Sequence, residues 1–328
     1  MSTPLRIATF NVENLDETTS PPTLDDRIDV LRPQLERLRA DVLCLQEVHG
    51  QESGGERTLS ALDRLLAGTV YETFEIASTR TTRGEPYDER NLVVVSRFPV
   101  DDTSQLKHDE VEGPTYRMVM STHDEQAKAI SWERPIFHAE LDLGAGQILH
   151  VINLHLKSMI PTDVPGQKVD RYSWRSAAAW AEGYFVSSMK RVGQALETRV
   201  LVDRLFDAAE DDGVEPLIVV CGDLNAESDS VPVNAIRGPI EEVGNPELVG
   251  RVLVPCEFTV PQPARYTLLH LGQGVMLDHI LVSRALLAHY RGCEIHNEIL
   301  PDESGAYRTD KKFPESDHAP VVAEFVLP

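Results

Sequence analysis

The feature that most constrains this chain is a series of short apolar runs, each closed by a polar turn. Leu5–Phe10, Val42–Leu45, Leu92–Val95, Ile136–Leu141, Ile148–Leu156, Leu217–Val220, Met276–Val282 and Val321–Val326 have the length and composition of strands. Several are apolar at consecutive positions, as strands covered on both faces are. Helical patterns lie between some of them. Asp25–Leu38 places Ile28, Leu31, Leu35 and Leu38 on one face, and Arg57–Leu66 does the same with Leu59, Leu62, Leu65 and Leu66. A long helical pattern runs from about Tyr172 to Ala209, with a break near Gly183 and an acidic turn after it. This alternation, with some adjacent strands reading as hairpins, predicts two packed sheets with helices outside. No linker, low-complexity segment or short repeat intervenes, so residues 1–328 read as one domain.

The charge limits the partners. The chain carries 53 Asp+Glu against 31 Lys+Arg, a formal net charge of −22. A protein that coats nucleic acid neutralises many phosphates and is basic, so any polyanion here is met transiently at a local site. No apolar stretch reaches the roughly 18–20 residues of a membrane helix. The N-terminus runs directly into a strand pattern and shows no signal peptide. Cys44, Cys221, Cys256 and Cys293 form no CxxC pair, which disfavours structural zinc and disulfides and points to a reducing cytoplasm. Nothing in the sequence calls for an obligate protein partner.

Polar residues gather at the ends of the apolar runs, where ligands bind in sheets with helical connections. Asn11 and Glu13 follow the first run, and Glu47 the second. Asn153 and His155 alternate by two and share a face, as do Asp223 and Asn225. Asp278 opens Leu-Asp-His-Ile, and Asp317–His318 lie in Glu-Ser-Asp-His-Ala-Pro. Hydrolysing a phosphate ester needs an activated water, neutralised phosphoryl oxygens and help for the leaving oxygen. Glu47 with amide oxygens nearby is a hard oxygen site, suited to Mg²⁺ or Mn²⁺ better than zinc. Asn amides donate to phosphate without adding charge. Asp223 can hold the attacking water. His318 with Asp317, and His155 with Asp278, can each form an acid–base pair.

In this chain order the segments resemble the endonuclease/exonuclease/phosphatase superfamily of DNase I-like nucleases, abasic-site endonucleases, sphingomyelinases, inositol-polyphosphate phosphatases and deadenylases. The resemblance runs from residue 5 to 326 and rests on Asn11, Gln46–Glu47, Asn-x-His at 153–155, Gly-Asp-Leu-Asn at 222–225 and Ser-Asp-His at 316–318. It implies a four-layer α/β/β/α sandwich and a phosphoesterase dependent on a divalent metal: Mg²⁺, or alternatively Mn²⁺ or Ca²⁺. It further implies Glu47 as principal metal ligand, with Asn11, Asp317 and Glu13 beside it. Asp223 positions water, Asn153 and Asn225 bind phosphate, and His155 is the general acid. His318 contacts phosphate or acts as base, and Asp278 pairs with a catalytic histidine.

Local sequence separates the branches. Val48-His49-Gly50 after Glu47, and His155 at its position, differ from the abasic-site branch, and Leu277–Ile280 differs from the inositol-phosphatase branch. Tyr266–Ile280 and Asn153–Ser158 are similar to segments of secreted bacterial nucleases, a comparison that also suggests Arg90 as a phosphate contact. Lys157, Lys168, Arg171, Arg175 and Trp174 can line a substrate groove; the alternative is an amphipathic helix burying Trp174 and Trp180. Lys190, Arg191 and Gln194 read as structural or surface residues, Lys311-Lys312-Phe313 as a guide for an anionic substrate, and His49, His108, His123 and His138 as surface or core. The leading expectation is a nuclease of low sequence selectivity. A phosphomonoesterase or phospholipid phosphodiesterase is the alternative, the second disfavoured by the lack of a long apolar loop. The intact residue set speaks against a catalytically silent binding module.

Overall fold

The computed structural model describes residues 3–123, 126–305 and 312–328. Two six-stranded mixed sheets face each other. Strands are numbered here through these two sheets only. The first contains β1 (Thr3–Leu15), β2 (Val42–Val48), β3 (Glu75–Ser78) and β4 (Asn91–Ser96). The second contains β5 (Val100–Leu106), β6 (Ile136–Gly144), β7 (Gln147–His155), β8 (Leu217–Asp223), β9 (Val254–Pro255) and β10 (Asp278–Val282). The chain then returns to the first with β11 (Tyr290–Ile295) and β12 (Val321–Leu327). The strand orders are β11-β12-β1-β2-β4-β3 and β9-β10-β8-β7-β6-β5. β1 runs parallel to β2, and β7 parallel to β8; β8–β10 and β2–β4 are antiparallel.

Three apolar layers hold this together. Leu5, Ile7, Val42, Cys44, Leu92 and Val94 of the first sheet pack on Leu149, Val151, Val219, Cys221, Ile280 and Val282 of the second. The outer face of the first sheet, including Ala8, Phe10, Leu43 and Leu45, is covered by α1 (Leu24–Leu38) and α2 (Ser60–Leu66). The outer face of the second, including Ile136, Ile152 and Val220, is covered by α3 (Ala177–Asp211) and α4 (Val231–Arg237). Strands apolar on both faces thus sit between helices, giving the α/β/β/α sandwich. No helix among the described residues is long and apolar enough to cross a membrane.

The long helix departs from expectation. It begins at Ala177, capped by Ser176, and continues through Gly183. A Cβ at Gly183 would lie 2.3 Å from the Thr162 carbonyl oxygen and 3.0 Å from the Trp174 ring. The glycine therefore marks a close approach of the 160s loop and does not break the helix. The second helix also starts later, because Arg57 belongs to a small hairpin, Gln51–Ser53 with Glu56–Thr58.

The inward parity that builds the inter-sheet core continues along the strands into polar residues. After Leu5 and Ile7 come Thr9 and Asn11; after Val42 and Cys44 comes Gln46; after Leu149 and Val151 come Asn153 and His155. Asn153 is fully buried and bridges the sheets. Its amide nitrogen donates to the carbonyls of Leu45 (3.1 Å) and Val93 (3.0 Å), and its oxygen accepts from Gln46 Nε2 (2.7 Å). Its side chain is thus committed to protein, where the sequence pointed to phosphate. Asn153→Ala removes three hydrogen bonds from a dry layer, those to the Leu45 and Val93 carbonyls and from the Gln46 amide. The expected loss is at least about 3 kcal/mol of unfolding free energy, measured by urea denaturation.

Candidate active site

The polar ends of β1, β2, β7 and β8 and the start of β10 converge with the loop before β12. Asp223 lies at the centre, 1% exposed. Its Oδ2 accepts from Asn11 Nδ2 (3.1 Å) and Asn225 Nδ2 (2.9 Å), and its Oδ1 from the Asn225 backbone (2.8 Å). His155 Nε2 lies 3.3 Å from Asp223 Oδ2 and 3.5 Å from Glu47 Oε1. His318 Nε2 lies 3.9 Å from Asp223 Oδ2 on the other side.

His318 Nδ1 lies 2.7 Å from Asp278 Oδ2. Asp278 therefore partners His318, and His155 is paired instead with Asp223 and Glu47. Asp317, the sequence neighbour of His318, is 4.0 Å from its Nε2. Its backbone N–H donates to Glu13 Oε2 (3.1 Å), which places Asp317 beside the one acid of β1. The Ser316 hydroxyl donates to the Asn11 carbonyl and accepts from the His318 N–H, fixing the loop against β1.

Backbone irregularities aim several of these groups. Strand alternation would send Glu47 to the outer face after Gln46. A register break between Leu45 and Val48 and a left-handed backbone at Glu47 (φ 61°) turn it into the site. Glu13 (φ 46°), Asn14 (φ 50°), Arg90 (φ 59°) and Asn225 (φ 47°) share this uncommon conformation. The Asn14 N–H donates to Glu47 Oε2 (3.0 Å), and Arg90 Nε donates to Asn14 Oδ1 (3.3 Å). Gly222, at φ 133°, lets β8 pass where a Cβ would sit 2.0 Å from the Leu154 carbonyl oxygen.

The charges are unbalanced towards acid. Burial, with Asp317 next, pushes Glu13 up to about 8. Burial raises Asp223 to about 7 against the pull of His318, and raises Asp317 to about 6. Burial opposes the charged form of His318, but Asp278 and Asp223 outweigh it and raise that histidine. Burial, aided by Arg134, lowers His155. Glu13, Glu47 and Asp317 form a crowded carboxylate group, with Arg27 against Glu13 as a counter-charge. This donor set fits a hard divalent cation. Asp223, Asp278 and His318 bring ligand atoms within 4.8 Å of one another, closer than the three acids stand as a group, but there the histidine and Asp278 already hydrogen-bond.

A cleft of about 640 Å³ opens on this cluster, lined by Glu47, Arg90, Arg134, His155, Lys157, Asp223, Asn225, Asp317 and His318. Asn11, Asn153 and Asp278 are buried behind its surface, and Glu13 lines a neighbouring cleft with Arg27, His49 and Lys312. Arg134, 8% exposed, donates to the His155 carbonyl (3.3 Å). The sequence reading did not single it out; the signal available was a lone arginine in Trp-Glu-Arg-Pro just before the Ile136 run. Of the cations proposed for a groove wall, Lys157 lines the cleft, whereas Lys168 sits over the Trp174 ring. Trp180 is half exposed and stacks on Tyr184, so the helix does not bury it. Arg191 and Gln194 are structural, donating to the Lys157 and Arg134 carbonyls respectively. Lys311 lies outside the described residues.

Fold and site together define a sandwich with one polar end, and the comparisons give its class. The chain belongs to the Endonuclease/Exonuclease/phosphatase family, whose model matches residues 8–318. It is similar in structure to an endonuclease/exonuclease/phosphatase family protein from Bacteroides thetaiotaomicron (15% identity, TM-score 0.60, covering 100% of this chain and 96% of that one). It is also similar to an AP endonuclease from Archaeoglobus fulgidus (17%, 0.53, 98% and 99%). A third match is the 3′ phosphatase NExo from Neisseria, solved with a product DNA hairpin (17%, 0.53, 98% and 99%). No curated protein matches the chain.

The raised carboxyls give a signed pH dependence. Above pH 6.5 the folded chain holds protons on Glu13, Asp223 and His318 that the unfolded chain has lost, so their contribution to stability falls as pH rises. His155 is lowered and has made its opposite contribution by then. In chelator, Tm is expected to fall between pH 6.5 and 8. The rise in Tm on adding Mg²⁺ is expected to grow over the same interval. A gain that shrinks with pH in differential scanning calorimetry contradicts this charge balance.

Proposed function

We propose that the protein is a metal-dependent phosphodiester hydrolase acting on nucleic acid with low sequence selectivity. The observation that carries the reading is the convergence of Asp223, His155 and the His318–Asp278 pair on a cleft that also presents Arg90, Arg134 and Lys157. Glu47, Glu13 and Asp317, with Asn11 Oδ1, would hold Mg²⁺, or Mn²⁺ or Ca²⁺. The bound ion supplies positive charge to the phosphoryl and leaving oxygens.

The chain's own residues supply the rest. Asp223 is fixed by Asn11 and Asn225 and orients the attacking water. Asn225 serves the phosphate through this support, because its amide already donates to Asp223 and Leu156. His318, kept protonated by Asp278, carries the positive role at phosphorus or the leaving oxygen. His155 is held neutral and donates a hydrogen bond, which moves the acid role expected of it to His318. Arg90 and Lys157 flank the scissile phosphate, with Arg134 set behind His155.

One observation favours a second substrate. Met159, Ile160 and Leu271 stand at the cleft mouth 40%, 60% and 56% exposed. That apolar rim suits a phospholipid phosphodiester, a reading the sequence had disfavoured. Assays on plasmid DNA, RNA, bis-p-nitrophenyl phosphate, phosphomonoesters and sphingomyelin vesicles, each with a chelator control, separate the two. Cleavage of nucleic acid that chelator abolishes is the expected result; activity on vesicles alone transfers the protein to the second reading. His155→Ala and His318→Ala are each expected to lower the rate by at least about 10²-fold. Asp278→Asn lowers the His318 pKa, so the basic limb of the kcat/KM–pH profile should move to lower pH. An unmoved limb removes His318 from the acid role.

A further inference from the structure

The outer face of the second sheet changes character along its strands. Leu106, Ile136 and Ile152 lie in the apolar layer shared with α3 and α4. At the following same-face positions the sheet presents Ser104 and Asp102 on β5, His138 and Glu140 on β6, and His150 on β7. Glu140 stands directly opposite both His150 and Asp102, and His138 opposite Ser104. None of these residues lines the active-site cleft. His150 is five residues before His155 on the same strand, which puts the two about 17 Å apart.

Three potential ligand atoms converge there. His138 Nε2 lies 3.2 Å from His150 Nδ1, Glu140 Oε1 lies 3.6 Å from that same nitrogen, and all three fall within 4.8 Å of one another. Two nitrogens bound tetrahedrally at zinc's usual bond length are separated by about 3.3 Å. One N–H shared between the two rings satisfies the His138–His150 contact, and the Glu140 carboxylate then faces the same nitrogen at 3.6 Å without a hydrogen of its own from either ring. The far nitrogen of His138 meets the Ser104 hydroxyl at 3.3 Å, the outer hydrogen bond that orients metal-bound histidines.

We propose that His138, His150 and Glu140 form a second divalent-metal site, selective for a zinc-class ion and separate from the catalytic centre. Imidazole nitrogens select zinc, cobalt or nickel over magnesium, and the all-oxygen set at Glu13, Glu47 and Asp317 prefers the reverse. Asp102, opposite Glu140, adds a second negative charge to neutralise the ion. The site ties β6 to β7 on the part of the face beyond the apolar layer.

Co²⁺ titration of the chelator-stripped full chain in a large excess of Mg²⁺ tests this. One Co²⁺ per chain with the visible absorption of a four-coordinate nitrogen–oxygen site is expected, and zinc should displace it. His150→Ala and Glu140→Gln, at partly exposed positions, should each weaken Co²⁺ binding by more than about 100-fold, and Ser104→Ala by about 10-fold. Glu47→Gln should leave the band unchanged while lowering Mg²⁺-dependent hydrolysis. The proposal is overturned by a band that survives in folded His150→Ala, by a band lost in Glu47→Gln, or by no binding in the parent chain. A failed hydrolysis assay leaves this readout intact, so the two readings fail separately.

Discussion

The bridge made by Asn153 sets the distance on which the site depends. Its amide reaches from β7 to the carbonyls of β2 and β4 while accepting from Gln46, so two sheets that touch mainly through apolar side chains are joined here by directed bonds, as they are again by Asn11 and Asp223. Apolar contacts tolerate sliding; three hydrogen bonds in a dry layer do not, because each misalignment leaves an unpaired buried group. His155 comes two residues after Asn153, and Glu47 one after Gln46. Their 3.5 Å approach is thus anchored within one or two residues on each side.

From that anchor the charge arrangement follows. Inward parity delivers Asn11, His155, Asp223 and Asp278 into the same layer as the core, where water is scarce and charge is costly. The fold offsets part of the cost with donors: two asparagines for Asp223, a backbone N–H for Glu47, and the His318 ring for Asp278. It leaves Glu13 and Asp317 touching with Arg27 as partial compensation, and their raised pKa values record the remainder. Five carboxylates at the centre are few among 53, so the net charge of −22 belongs mainly to the surface. It weakens non-specific capture of polyanions while leaving the local cations of the cleft in place.

Much of this was legible because strands buried on both faces write themselves as apolar runs. All eight runs became strands, and their polar ends became the cluster. What escaped was written in polar residues. Val100–Leu106 reads Val-Asp-Asp-Thr-Ser-Gln-Leu and forms an edge strand largely open to solvent, without an apolar signature. Glu75–Ser78 and Tyr290–Ile295 are likewise edge strands of mixed composition. Histidine partnership was half legible. The resemblance paired Asp278 with a catalytic histidine, while the residues alone left His155 and His318 both open to it; the contact is with His318, forty residues downstream. The protein partners of Asn153 were not legible either, because period-two alternation gives a face without saying which sheet lies across it.

The left-handed residues are the last part of the same design. Glu13, Asn14, Glu47, Arg90 and Asn225 each adopt a conformation that costs about 1 kcal/mol or more outside glycine. Straight strands would point Glu47 away from the cleft, so the strain is the means by which a helix-facing position becomes a cleft-facing one. The fold over-determines each bend: Asn14 holds Glu47 and is held by Arg90, and Asn225 is tied through both backbone and side chain to Asp223. These bonds link the four strained residues other than Glu13 into two small units. Glu13 is restrained separately, through the Asn11 side chain and the Asp317 N–H. The site is therefore rigid before anything binds. Its acids are held close across fixed distances, and the raised pKa values of Glu13, Asp223 and Asp317 are the measure of that crowding and burial.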